Sequence, residues 1–157
     1  TGRRYAQAFG VDELWLLTGQ GSPDGGRAVV PVVGHVRADS GGAIIQIDDL
    51  EKGAALRHVP APPDCDPGSV AVEVRGDSME PVYREGDTLI YSRRSPDVPT
   101  MIGRDRIVWL EDGRILLKDL RPGSRPGLYA LSSHNAAPIY DAHVVEAARV
   151  EWIRRAR

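Results

Sequence analysis

The stretch Val70-Ala71-Val72-Glu73-Val74-Arg75-Gly76-Asp77-Ser78-Met79-Glu80-Pro81 constrains this chain more than any other. Its first six residues alternate, with Val70, Val72 and Val74 on one side and Ala71, Glu73 and Arg75 on the other, as in a strand. Gly76-Asp77 then demands a turn. A serine on a turn at the end of a buried strand can present its hydroxyl outward while its own backbone N–H faces the same space. A nucleophile with an oxyanion donor needs that arrangement. Alone, Gly76-Asp77-Ser78 reads as a polar turn; its surroundings carry the argument further.

Those surroundings are short strands separated by turns. Gly86-Asp87-Thr88-Leu89-Ile90-Tyr91 reads as a turn into a second strand. Arg106–Leu110 and Arg114–Lys118 flank Glu111-Asp112-Gly113, a strong hairpin signal. Ala28–Val36 is an apolar β-branched run containing Pro31, which predicts an edge strand. Ala43–Ile47 and Gly127–Ser132 add two more, and Val144–Ile153 favours strand over helix despite Glu146-Ala147-Ala148-Arg149. Arg93–Gly103 is expected as loop, with Pro96 and Pro99 against regular structure. Asp48–Gly53 reads as a polar turn or short helix, and Pro60–Ser69 as an extended proline-rich connection. Seventeen glycines, twelve prolines and a single phenylalanine fit this mostly-β reading better than long helices.

Only the beginning of the chain is helical by pattern. Tyr5, Ala8, Phe9, Leu14 and Leu17 recur at helical spacing, broken at Gly10-Val11-Asp12, with Asp12 as N-cap and Gly19 as stop. Gly19–Arg27 has linker composition. The expected organisation is a helical remnant over 1–20, a linker over 21–28 and one β domain over 29–157.

Lysine is scarce in this chain, at Lys52 and Lys118 alone, against many arginines. Lys118 lies in Ile115-Leu116-Leu117-Lys118-Asp119-Leu120, where the period of two aligns it with Leu116 and Leu120 and turns Asp119 the other way. An ammonium among leucines loses hydration, which lowers its pKa. A neutral amine can act as a general base and then as an acid, with no histidine needed. A lysine snorkelling from a half-buried strand is the alternative.

Gly76-Asp77-Ser78-Met79-x-Pro81, then Gly86-Asp87-x-Leu89-Ile90, then a strand with an apolar-flanked lysine follow one another in that order. On these motifs the chain from roughly Val29 to Arg155 resembles the peptidase domain of the LexA and phage-repressor family. The resemblance implies a LexA/signal-peptidase-like β fold with a Ser78–Lys118 dyad that cuts its own chain. The oxyanion donors would be the backbone N–H groups of Ser78 and a neighbour, Met79 or Asp77, with the Met79 side chain in the pocket floor. Asp77 is expected to turn outward, and Asp87 to fix a turn. The family carries its scissile bond, commonly Ala-Gly, on a loop that here aligns with Ala38-Asp39. Aspartate in place of glycine is a departure that crowds the approach. An ordinary hairpin at Arg37–Gly42 fits the same residues.

Tyr5-Ala6-x-Ala8-Phe9-Gly10-Val11 followed by Trp15-Leu16-Leu17-Thr18-Gly19 resembles the closing helices of a helix-turn-helix repressor domain. That implies operator DNA bound through a domain lying upstream, while the LexA-like resemblance implies a homodimer paired through its sheets and RecA filaments as the partner that stimulates cleavage. The proline-bearing strand and the apolar final strand are the candidate dimer surfaces. Thr1 in place of Met reads as truncation or processing.

The same fold serving only dimerisation or sensing is the rival reading, supported by Asp39. A membrane signal peptidase is weakened because no apolar run is long enough to span. An accessory subunit of a translesion polymerase would not carry the helical remnant. A net charge of −2 carries no whole-chain signature of nucleic-acid binding. Cys65 is alone, so no intrachain disulfide forms, and a reducing, cytoplasmic setting is expected. His35, His58, His134 and His143 show no metal-ligand spacing, and neither metal nor cofactor is expected.

Overall fold

The computed structural model describes residues 2–9, 13–19, 28–39, 42–47, 57–76, 79–133 and 136–157. Two short helices, α1 (Gly2–Phe9) and α2 (Glu13–Thr18), open the chain. They pack on each other, with Gly2 against the side chain of Leu17, and Gly19 follows at φ +70°, the conformation that ends a helix. Asp12 and nearly all of the expected linker lie outside the described residues, as does the Asp48–Gly53 segment.

The strands are β1 (Val29–Asp39), β2 (Gly42–Ile47), β3 (Arg57–Pro60), β4 (Val70–Val74), β5 (Thr88–Ser95), β6 (Gly103–Leu110), β7 (Ile115–Pro122), β8 (Tyr129–Ser133), β9 (Ala136–Ala142) and β10 (Val144–Arg154). They form one ten-stranded sheet in the order β2-β1-β4-β5-β10-β6-β7-β8-β9, with β3 on β1. The protein is thus mostly β. β2 also pairs with β7, through Ala43↔Leu117 and Ile44↔Leu116, so the sheet from β2 round to β7 closes on itself. Closure leaves no open edge within the ring, and the β8–β9 hairpin continues from β7.

Side-chain alternation divides the interior. Val36, Ile45, Val72, Leu89, Ile107 and Leu117 belong to one packed cluster. Val108, Leu110, Leu116, Leu120, Tyr129 and Leu131 belong to a second. Leu117 therefore serves one cluster, and Leu116 and Leu120 the other. Each fully buried leucine contributes about 1.5–3 kcal/mol. A third cluster joins Val30, Val32, Val59, Ala71 and Ile90.

Several expectations need correction. The proline-bearing strand is not an edge: β1 pairs with β2, β3 and β4. Pro31 is accommodated because β4 begins to pair only at Val32, so among the described strands β3 alone lies beside Pro31. The 61–69 connection is not fully extended, since it bends at two turns closed by Cys65 N–H to Pro62 and Ser69 N–H to Asp66. β5 runs on to Ser95, where Arg94 stacks 4.2 Å from the Trp109 ring centroid and pairs with Glu146. Val98–Met101 forms a 3-10 turn within the expected loop. The final segment is a strand, as expected: β10 lies between β5 and β6, and register shifts around Ala148–Val150 let consecutive Ala147 and Ala148 both be buried. No described helix is long and apolar enough to cross a membrane.

The turn after β4 is tied to the end of β10 by one carboxylate. Asp87 is 1% exposed, and it accepts hydrogen bonds from Arg84 N–H at 3.0 Å, Ala156 N–H at 2.9 Å and Arg155 Nη1 at 2.8 Å. Burial alone would raise its pKa, but the N–H donors at Arg84 and Ala156 and the Arg155 guanidinium outweigh burial and hold it below the usual carboxylate range. Because the folded pKa is depressed, its stabilisation is complete above the unfolded carboxylate pKa and is lost as pH falls through the folded value. Asp87→Ala is expected to cost about 3 kcal/mol at pH 7 in chemical denaturation. The difference from wild type should shrink in acid, below roughly pH 4.

Candidate functional site

Lys118 sits where the sheet splits. One edge of β7 is covered by β6. Its other edge pairs with β2 at Leu116 and Leu117, and with β8 from Asp119 to Pro122. Lys118 lies between these two pairings, at the point where the neighbouring strand changes.

Both flanking registers, continued by one residue, meet at this lysine. Ala43↔Leu117 leads to Gly42 beside Lys118, and Asp119↔Ser132 leads to Ser133 beside it. The contacts agree. Lys118 Nζ donates to Ser133 Oγ at 3.1 Å. A Cβ on Gly42 would lie 2.1 Å from Nζ and 3.3 Å from Ser133 Oγ, so the amine rests directly on the glycine. Gly42 also has φ +105°, which disfavours any side chain. Glycine is required here twice over, by backbone conformation and by the amine.

The amine is buried: Lys118 is 2% exposed. Burial pushes its pKa below the ordinary lysine value, and the nearby Arg114 charge adds to the effect. The neutral form is thereby easier to reach than in an ordinary lysine, and a neutral amine can accept a proton from a hydroxyl. The expectation of Lys118 on a face with Leu116 and Leu120 is met, and Asp119 is engaged elsewhere, with Oδ1 accepting from Asp105 N–H.

Ser78 and Asp77 lie outside the described residues; the structure fixes what borders them. Gly76 turns at φ +82° after β4. Met79 is buried in the cluster that also holds Leu117 and Ala43. These are the neighbours of Ser78, Lys118 and Gly42 respectively, so three sequence-distant segments share one packed core. Tyr83, in the same cluster, donates its hydroxyl to Asp105, whose N–H reaches Asp119 next to Lys118. Burial, followed by the Asp105 hydrogen bond and charge, pushes the Tyr83 pKa far up and keeps it a donor. Arg155 Nη1 also donates to Val82 O at 2.9 Å.

The backbone of Ala38 and Asp39 forms the end of β1. Ala38 pairs with Ala43 and Asp39 with Gly42, so the bond expected to be cut lies in the hairpin whose far strand abuts Lys118. Sequence reading missed Ser133 and Gly42. The signal for Ser133 was only a pair of serines at a strand end, and the lysine's neighbours emerge only with strand register. His35, expected to hold no site, is buried with Nε2 3.1 Å from Gln46 Oε1. Among the described residues, no group of His, Cys, Asp or Glu is arranged to hold a metal ion.

A lysine whose folded pKa is lowered binds fewer protons in the folded than in the unfolded chain, so it weakens the fold at neutral pH. Lys118→Met is therefore expected to stabilise the protein in denaturant at pH 7. The gain should diminish as pH rises toward the ordinary lysine value near 10.5.

No curated protein matches the chain. The Peptidase S24-like family model matches residues 31–157, most of the sequence, and the chain belongs to that family.

Proposed function

We propose that the chain is the regulatory domain of a LexA-like or phage-type transcriptional repressor, and that it cuts its own Ala38–Asp39 bond with Ser78 and Lys118. The observation that carries this reading is the hairpin of β1 and β2. It bears the Ala38–Asp39 peptide at its end and rests through Gly42 on a buried, pKa-lowered lysine amine.

In the proposed reaction, neutral Lys118 Nζ takes the Ser78 hydroxyl proton as Oγ attacks the Ala38 carbonyl carbon. The backbone N–H groups of Ser78 and Met79 receive the developing oxyanion. Collapse breaks the C–N bond, and the Lys118 ammonium delivers its proton to the leaving Asp39 amine. Water, deprotonated by the same amine, then hydrolyses the Ser78–Ala38 ester. No metal or cofactor enters this scheme.

The larger setting is part of the proposal. Residues 1–20 close a helix-turn-helix domain, 21–28 link it, and 29–157 form the peptidase and dimerisation domain. Two copies pair, and β10 supplies an apolar surface through Val145, Trp152 and Ile153, all exposed. Operator DNA is bound through the upstream domain, RecA filaments stimulate cleavage, and the protein works in the cytoplasm. A non-cleaving dimerisation module is the second reading, favoured by aspartate at position 39.

Intact mass of the purified chain, followed over time at neutral pH and near pH ~10, where a lysine becomes substantially neutral, tests the reading. Two fragments joining at Ala38–Asp39, absent in Ser78→Ala, are expected. Asp39→Gly should cut faster, on the order of tenfold, by easing approach to the carbonyl. A chain that stays whole at high pH and with activated RecA filaments overturns the peptidase reading in favour of the dimerisation module.

A further inference from the structure

We infer that Ser133 is a positioning residue for the Lys118 amine, an inference that rests on the reading of Lys118 as general base. A neutral amine has two N–H bonds and one lone pair, and only the lone pair can take a proton. Nζ ends a chain of rotatable bonds, so burial alone does not choose where that lone pair points. The contact to Ser133 Oγ supplies the choice. It uses one N–H at 3.1 Å, while Gly42 closes the side of the amine toward β2. Two directions about Nζ are thereby taken by β8 and β2, which limits how the amine can turn.

Strand register makes this a built arrangement. Tyr129, Leu131 and Ser133 share one face of β8, and Tyr129 and Leu131 are buried in the second cluster with Leu116 and Leu120. Ser133 thus faces the way its buried strand-mates do, opposite the lysine on the neighbouring strand. Neutrality and orientation therefore have separate sources. Burial lowers the proton affinity, and Ser133 aims what remains.

The hydroxyl accepts from Nζ, so it also favours the protonated amine slightly. Losing it should move the Lys118 titration further down while slowing proton transfer. Ser133→Ala and Ser133→Thr are to be compared with wild type by two measurements. The first is the first-order self-cleavage rate across pH. The second is the 13C-lysine NMR titration, in which Lys52 is the only other lysine.

Ser133→Ala is expected to lower the high-pH plateau rate by about tenfold to a hundredfold. It should also shift the Lys118 midpoint downward and leave Lys52 unmoved, and Ser133→Thr should restore both. An unchanged Lys118 midpoint in Ser133→Ala overturns the role, whether or not the chain cuts. Loss of cleavage as complete as in Ser78→Ala also overturns it, because Ser133 would then be acting as nucleophile. If wild type never cuts yet the midpoint moves in Ser133→Ala and returns in Ser133→Thr, the Ser133 contact stands and the self-cleavage reading fails.

Discussion

The contact between the Lys118 amine and the bare backbone of Gly42 ties the fold to its chemistry. β2 closes the ring by pairing with β7, and that pairing ends where Lys118 stands. If position 42 carried a side chain, the amine could not rest there, and the hairpin could not seat on β7 in this register. A conformation that glycine alone tolerates readily, a buried amine and a ring closure meet at one point. An exposed ion pair such as Arg114–Asp112 carries no comparable consequence, because solvent screens it.

The segment after Ser78 is held from several sides, which matters because proton transfer demands hydrogen-bond distances. Met79 is packed into the first core cluster, Tyr83 is tied through Asp105 to β7, and Asp87 fastens the turn to the end of β10. The hydrophobic clusters supply the rigidity, and the polar ties set direction. A buried lysine in such a frame works against stability. Its retention among leucines, in a chain with one other lysine, is readily understood if the amine is used.

Much of this was legible in sequence. Period-two alternation located the strands with buried faces, the Glu111-Asp112-Gly113 turn located the β6–β7 hairpin, and Lys118 stood out by its apolar neighbours. What escaped has physical reasons. β3 is only four residues long, and β9 buries only Ala142 among its seven residues, so neither carries an alternating pattern. Pro31 suggested an edge because sequence cannot tell that three different strands share β1. In β10 the strand was expected, but the bulge that buries both Ala147 and Ala148 breaks the alternation and was not visible. Ser133 and Gly42 became visible only through the pairing of β7 with β8 and β2. The motif identified the lysine; register identified its neighbours.

The central claim is that Lys118 works as a neutral base against the chain's own hairpin. Its most direct test is to overlay the pH profile of first-order self-cleavage on the NMR titration of Lys118 in uncut Ser78→Ala protein. The account predicts that the rate rises to a plateau with a midpoint matching the lysine titration, below the ordinary lysine value. A rate that ignores pH through that titration, or a Lys118 that titrates as an ordinary exposed lysine, would contradict it.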